Sequence, residues 1–258
     1  AQGHECFILD NLTNYGIINR AEIKHLKKLR LARTRAGCHH IDLCNRESVE
    51  GFFKTFGSSV HAVIHLASFP RQKAVEKNPL WASEVMSTGL VNLLELTKSH
   101  RIPKFVYISS SMVYGDFNND VTEDAVCKPI GQYAIMKYMG EKLVEDYTRR
   151  GCFDYVIVRP SAVYGEFDVN DRVISKFILT AMRGGVIKVN GANETLDFTY
   201  VDDAADGIVA AALSANTDNK TYNITKSHSR SLLDAARLAC KLAKKGKIDV
   251  REKDADFP

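Results

Sequence analysis

Short apolar runs recur along the chain at strand–helix–strand spacing, and this rhythm constrains the fold more than any single residue. Five runs, at 5–10, 39–42, 60–66, 104–109 and 154–159, are rich in Val, Ile, Phe and Tyr. Several are nearly continuous in apolar residues, as strands buried on both faces are. Amphipathic stretches near 19–35, 45–56, 80–100 and 132–150 separate them. Right-handed crossovers then predict an α/β fold, a doubly wound parallel sheet of Rossmann-like type with helices on both faces. After Arg159 the rhythm loosens into helices near 171–184, 203–215 and 229–245, with short strands near 186–189 and 221–225. The expected division is a sheet domain over 1–160 and a smaller C-terminal lobe over 161–258, interleaved with the first.

With 45% hydrophobic and 26% charged residues, the chain reads as globular and not as disordered, collagen-like or coiled-coil. No apolar run approaches the roughly 20 residues of a membrane span. The opening Ala1-Gln2-Gly3-His4-Glu5 lacks a basic-then-apolar leader, and without an initiator Met the natural start is expected upstream. The 35 basic residues are scattered among 31 acidic ones, not gathered with aromatics as in a nucleic-acid binder. The densest basic stretch, Lys241, Lys244, Lys245, Lys247 and Arg251, reads as a solvated helix end. Six cysteines without C-x-x-C spacing predict reduced thiols in a cytoplasmic protein, and no zinc site. His39 and His40, adjacent in a strand, point to opposite faces and do not converge on a metal.

In an open parallel sheet, ligands bind beyond the carboxyl ends of the strands. Those ends carry Asp10-Asn11, Asp42, His65-Leu66-Ala67, Ser109-Ser110-Ser111 and Arg159-Pro160. A Gly-rich phosphate loop is absent after the first of these strands, and the opening reads as the tail of a helix entering a second strand. Asp10 stands where a carboxylate bonds both ribose hydroxyls of NAD and repels the 2′-phosphate of NADP. Asp10-Asn11 is equally a good turn pair. Tyr133 and Lys137, four apart on a predicted helix, share one face. There an ammonium lowers the tyrosine pKa and makes it a usable acid/base. The bare Y-x-x-x-K pattern also arises by chance in helices, and a serine-rich strand end commonly satisfies only its own backbone. Together, in this chain order, Asp10, the serines, Tyr133 and Lys137 favour the functional reading.

Six blocks, in order, resemble motifs of the extended short-chain dehydrogenase/reductases. They are Leu9-Asp10-Asn11-Leu12, His65-Leu66-Ala67, Ser109 through Gly115, Tyr133-Ala134-Ile135-Met136-Lys137, Arg159-Pro160-Ser161-Ala162-Val163-Tyr164-Gly165 and Asp197-Phe198-Thr199-Tyr200-Val201-Asp202-Asp203. The likeness is to the NAD-dependent nucleotide-sugar epimerase/dehydratase group. It implies NAD as cofactor, with Asp10 and Asn11 at the adenosine ribose and Asp42 and Leu43 at the adenine. Leu66, Ala67, Ser68 and Ser109 would line the cofactor, and Pro160 would lie against the nicotinamide. Ser110 would be the catalytic hydroxyl and Tyr133 the acid/base, while Lys137 would bond the nicotinamide ribose and depress the pKa of Tyr133. The implied reaction is hydride transfer from a sugar carbon to NAD as Tyr133 takes the hydroxyl proton.

Departures from the motifs choose within the group. Dehydratases of this kind carry Asp-Glu after the catalytic hydroxyl, where this chain has Ser111-Met112, and methionine cannot shuttle a proton. The same Met112 stands where decarboxylating members use glutamate. A nucleotide-sugar epimerase acting at C4 is the reading that remains. The alternatives are another NAD-dependent oxidoreductase of the scaffold (dehydrogenase, reductase or dehydratase) and a non-catalytic nucleotide-binding protein. Met86, Ala162 and Leu196 replace polar positions usual in the group, with Arg71, Lys73 or Arg172 available to supply charge. The resemblance also implies a Gly-rich turn upstream, a further segment after Asp254-Ala255-Asp256-Phe257-Pro258, and a homodimer built from the helices near 80–100 and 132–150.

Overall fold

A computed structural model describes residues 3–14, 19–34, 36–116 and 121–252; Arg35 and the stretch Asp254-Ala255-Asp256-Phe257-Pro258 lie outside them. In chain order the elements are β1 (Phe7–Asp10), α1 (Arg20–Arg33), β2 (Gly37–His40), α2 (Arg46–Phe56), β3 (Ala62–His65), α3 (Gln72–Lys77), α4 (Pro79–Ser83), α5 (Leu90–Ser99), β4 (Lys104–Ile108), α6 (Gln132–Arg149) and β5 (Asp154–Pro160). There follow α7 (Val173–Met182), β6 (Val186–Asn190), β7 (Thr195–Leu196), α8 (Val201–Leu213), β8 (Lys220–Ile224), β9 (Arg230–Ser231), α9 (Leu232–Ala243) and β10 (Lys247–Arg251). Two compact units divide the chain: Ala1–Ile17, Ala32–Pro160 and Asp206–Ile224 in one, and Ile18–Leu31, Ser161–Ala205 and Thr225–Pro258 in the other.

In the first unit β3, β4, β5 and β8 form a parallel sheet in that order, and β1 pairs in parallel with β2. The predicted parallel α/β architecture is thus present, with β8 joining the strands of the N-terminal half. Strand sequences such as Phe105-Val106-Tyr107-Ile108 and Val156-Ile157-Val158 are buried at every position because helices cover both faces. One face packs with α2, α5 and α6 around Val49, Phe53, Leu90, Leu94, Phe105 and Ile157. The other packs Val106, Val156 and Val158 against Ala211 and Ala212 of α8. Asn45 caps α2 by accepting from the Ser48 N–H at 3.1 Å, which satisfies a donor that the first turn leaves open.

The stretch 80–100 is helical through Ser99, as expected, but its winding is not uniform. Pro79 opens α4, where its missing N–H costs nothing; Glu84–Gly89 widen into π-helical turns, and α5 resumes at Leu90. The loop before it also folds, as α3, although its six residues are too short to show a helical period.

In the second unit β6 and β10 pair in parallel, and α7 and α9 pack together. Phe177, Ala181, Ile187, Val189, Leu232 and Ala236 form their common core. The basic stretch is the solvated helix end expected, with Lys241, Lys244, Lys245, Lys247 and Arg251 all exposed where α9 stops, and it continues into a strand that was not expected. Lys244 and Gly246 turn the chain in the left-handed region, and Lys247 to Arg251 then form a strand whose Ile248 joins the core. The basic residues are also less scattered than expected. Helix α1 carries six Lys or Arg against one Glu, a surplus larger than the chain's net charge of +4.

Helix α6 crosses β4 at close range: a Cβ at Gly140 would lie 2.1 Å from Tyr107 Oη. Tyr107 is fully buried and cannot swing aside. Gly140→Ala should therefore cost about 1–3 kcal/mol by overpacking, against the gain of up to about 1 kcal/mol in helix propensity that an exposed site would show. A urea midpoint unchanged or raised would mean that β4 and α6 are not in this contact.

Candidate active site

Ser110, Tyr133 and Lys137 lie on adjoining pieces of the first unit. β4 ends at Ile108, yet the Ser109 N–H still donates to the Val158 carbonyl at 2.7 Å. Ser110, in extended backbone, caps the 3-10 turn Ser111–Tyr114, its Oγ accepting from the Met112 N–H at 3.2 Å. That turn packs on α6, which carries Tyr133 in its first turn and Lys137 one turn further on. Lys137 is buried; its Nζ donates to the Ile108 carbonyl at 2.8 Å and lies 5.9 Å from the Tyr133 ring centre. Burial pushes the Lys137 pKa from 10.5 down to about 8, with the neighbouring Glu141 acting the other way. Tyr133 is half-buried, and its N–H donates to the Gln72 side-chain oxygen at 3.1 Å.

The two serines differ. The Ser110 hydroxyl serves its own turn, as a serine-rich strand end is expected to do. Ser109 Oγ is buried without a hydrogen-bond partner among the described residues. Such a group costs about 1–3 kcal/mol until something bonds it, so the donor set here fits a bound polar ligand such as a cofactor ribose. Met86, at a position usually polar in related motifs, is buried with Phe69, Val75 and Val85 in a cluster against which Tyr133 and Met136 pack.

Asp10, Asn11, Asp42 and Leu43 gather at the carboxyl ends of β1 and β2. Asp10 Oδ1 accepts from the Leu12 N–H at 2.6 Å, so the turn role is filled, while the residue stays exposed. Asn11 Nδ2 donates to Asp42 Oδ2 at 3.0 Å, and Asp42 Oδ1 accepts from the Cys44 N–H at 2.9 Å. Burial alone would raise the Asp42 carboxyl; these bonds outweigh it and hold the pKa below the ordinary value. Leu43 is buried, and its carbonyl accepts from Asn92 Nδ2 at 2.9 Å. Leu66, Ala67 and Ser68 follow β3; Leu66 is 60% exposed, and the Ser68 hydroxyl donates to the Phe69 carbonyl at 3.0 Å. Pro160 closes β5.

Sequence reasoning assigned no role to the buried polar residues behind these groups. His65 stacks on Tyr107 with centroids 5.8 Å apart, and burial followed by the Lys137 charge pushes its pKa from 6.5 to about 3. Glu141 is fully buried and bonded in parallel by Arg159, Nε to Oε1 at 2.9 Å and Nη2 to Oε2 at 2.7 Å. Their only sequence signals are position: Glu141 stands four after Lys137, and Arg159 directly before Pro160.

The family model for the NAD dependent epimerase/dehydratase family matches residues 1–225. The UDP-glucuronate 4-epimerase of Thermodesulfobacterium geofontis is 34% identical over 175 residues, 67% of this chain and 54% of that protein. A putative UDP-glucose 4-epimerase of Methanocaldococcus jannaschii is 33% identical over 171 residues, 64% of this chain and 55% of that one. The chain thus spans about half the length of these curated relatives. Among solved structures, the UDP-glucuronic acid 4-epimerase of Bacillus cereus, in complex with UDP-glucuronic acid and NAD, superposes with a TM-score of 0.85 at 24% identity, covering 98% of this chain and 79% of that one. That likeness carries the fold. With the family model matched from the first residue through β8, the chain belongs to the NAD-dependent epimerase/dehydratase family.

Proposed function

We propose that the protein is an NAD-dependent nucleotide-sugar epimerase acting at C4, with Tyr133 as acid/base, Ser110 as the second hydroxyl and Lys137 as the ammonium that sustains both. The observation that carries this is Lys137 Nζ, buried on the Ile108 carbonyl at the very strand end that leads into Ser109 and Ser110, on the helix that presents Tyr133. The relatives named as UDP-sugar 4-epimerases support the substrate class. Half-buried Met112 supports epimerisation over dehydration, since it offers no acid next to Ser110.

Asp10, Asn11, Asp42 and Leu43 would hold the adenosine end of NAD, and Leu66, Ala67, Ser68 and Pro160 its path toward the catalytic end. Ser109 Oγ and Lys137 would meet the nicotinamide ribose. When bound, NAD supplies the hydride acceptor and donor. Tyr133 Oη removes the proton of the C4 hydroxyl as that carbon is oxidised, and returns it when the ketone is reduced on its other face. The Ser110 hydroxyl, free to donate while its oxygen caps the turn, would hold the same substrate oxygen. Lys137 as ammonium favours tyrosinate. The first unit, most of the expected 1–160 together with Asp206–Ile224, takes the cofactor role in this reading, and the second unit the sugar nucleotide. We read the protein further as a cytoplasmic homodimer: the six cysteines are all unpaired, and α6 exposes Ile135 and Met139 one turn apart.

Three outcomes test the reading with UDP-glucuronate and UDP-glucose as substrates. Tyr133→Phe should lower turnover about 10²- to 10⁴-fold, the usual contribution of a positioned acid/base, while NAD binding by calorimetry survives; near-normal turnover would remove Tyr133 from the role. Ser109→Ala should leave the melting temperature unchanged or raised, because an unbonded buried hydroxyl is lost, yet weaken NAD binding. Equal NAD affinity in that variant would separate Ser109 from the cofactor. Turnover should decline as pH rises through about 8, where Lys137 loses its proton. The stability test has the opposite sign: between about 8 and the ordinary 10.5 the unfolded chain holds a proton that the folded chain lacks, so this residue makes the fold more stable as pH rises. A pH–rate profile flat to pH 10 would contradict the assignment of Lys137.

A further inference from the structure

Through one guanidinium Arg159 joins β5 to three other pieces of the first unit, and through Tyr114 to a fourth. Besides its two bonds to Glu141 on α6, Nη1 donates to Tyr114 Oη at 2.8 Å and to the Glu123 carbonyl at 3.3 Å, and the guanidinium lies 4.8 Å from the Tyr114 ring centre. Tyr114 Oη donates on to Asn223 Oδ1 at 2.8 Å, and Asn223 is held by Glu123 Oε1 at its N–H and by the Val121 carbonyl at Nδ2. Tyr114 ends the turn that Ser110 caps; Glu141 stands one helical turn beyond Lys137 and two beyond Tyr133. The carboxylate and guanidinium are 0% and 5% exposed, so neither contributes to a solvated surface. An ion pair of this burial is often no more stabilising than apolar residues of the same volume, so stability alone gives little reason for it.

We propose that Arg159 and Glu141 are positioning residues: the forked pair, extended through Tyr114, fixes the turn carrying Ser110 against the helix carrying Tyr133 and Lys137. This rests on the catalytic reading above. The planar fork matters because it fixes orientation as well as charge, which a lysine ammonium cannot do. A second consequence is electrostatic. Lys137 is faced by His65 from β3, by Tyr107 from β4, and by Tyr133 and Glu141 on its own helix. Of these, the Glu141 carboxylate is the group that favours the ammonium.

The test uses Tyr114→Phe, Arg159→Lys, Glu141→Gln and Tyr133→Phe. Tyr114→Phe removes one hydroxyl and should fold normally; kcat should fall about tenfold with KM for the UDP-sugar unchanged. Arg159→Lys, keeping charge without the fork, should not restore wild-type kcat. Independently of turnover, a nuclear magnetic resonance titration of the Lys137 ammonium should show its pKa lower in Glu141→Gln than in the wild type. Wild-type kcat in both Tyr114→Phe and Arg159→Lys, with Tyr133→Phe inactive, would overturn the positioning role and leave the catalytic reading standing. Activity in Tyr133→Phe would instead overturn the catalytic reading. If neither sugar nucleotide is turned over, the titration decides alone: a Lys137 pKa unmoved in Glu141→Gln would overturn the proposal.

Discussion

A lysine ammonium held out of water is the constraint on which the rest of the site depends. Lys137 reaches the end of β4 through the interior of the first unit, and among the described residues only the Ile108 carbonyl receives it directly. Burying a lone charge costs far more than one such bond returns, so the surroundings must supply the difference. Glu141 does so in part, one turn away. Tyr107, whose hydroxyl donates to the Lys137 carbonyl at 3.3 Å, keeps the helix backbone at the distance the lysine needs. Gly140 leaves room for that hydroxyl. A strand, a helix and a glycine are thereby tied to one side chain, and losing either partner of the buried pair behind it would cost about 3–5 kcal/mol.

How much of this was readable from residues alone differs by level. The parallel α/β class followed from runs such as Lys104-Phe105-Val106-Tyr107-Ile108, because a strand covered on both faces leaves a continuous apolar signature. The same signature is missing from short elements: α3 is one and a half turns long, and β10 has two charged residues at its ends and one in the middle. The π-helical turns at Glu84–Gly89 were invisible for another reason. Their sequence, Glu-Val-Met-Ser-Thr-Gly, is an ordinary amphipathic one, and the widening depends on how it packs.

For the site, spacing placed Tyr133 and Lys137 on one helical face, and the structure adds what spacing cannot contain: depth. Nothing in Y-x-x-x-K distinguishes a lysine in solvent from one buried on a strand end. The same limit hid Arg159 and Glu141, 18 residues apart in sequence and in contact only once β5 and α6 are in place. Asp10 and the serines show a different limit. A polar residue at a strand end can serve its turn, a ligand, or both. Asp10 Oδ1 and Ser110 Oγ serve their turns here, while each keeps a further lone pair or proton for another partner.

Helix α1 has a consequence for how solutes arrive. Its surplus of cations exceeds the net charge of the whole chain, so the remainder, taken together, is slightly acidic. The field of such a helix fades over about 8 Å at physiological ionic strength. Over such a range a basic helix acts on the rate at which anions are captured, which falls with added salt, and not on the tightness of any final complex.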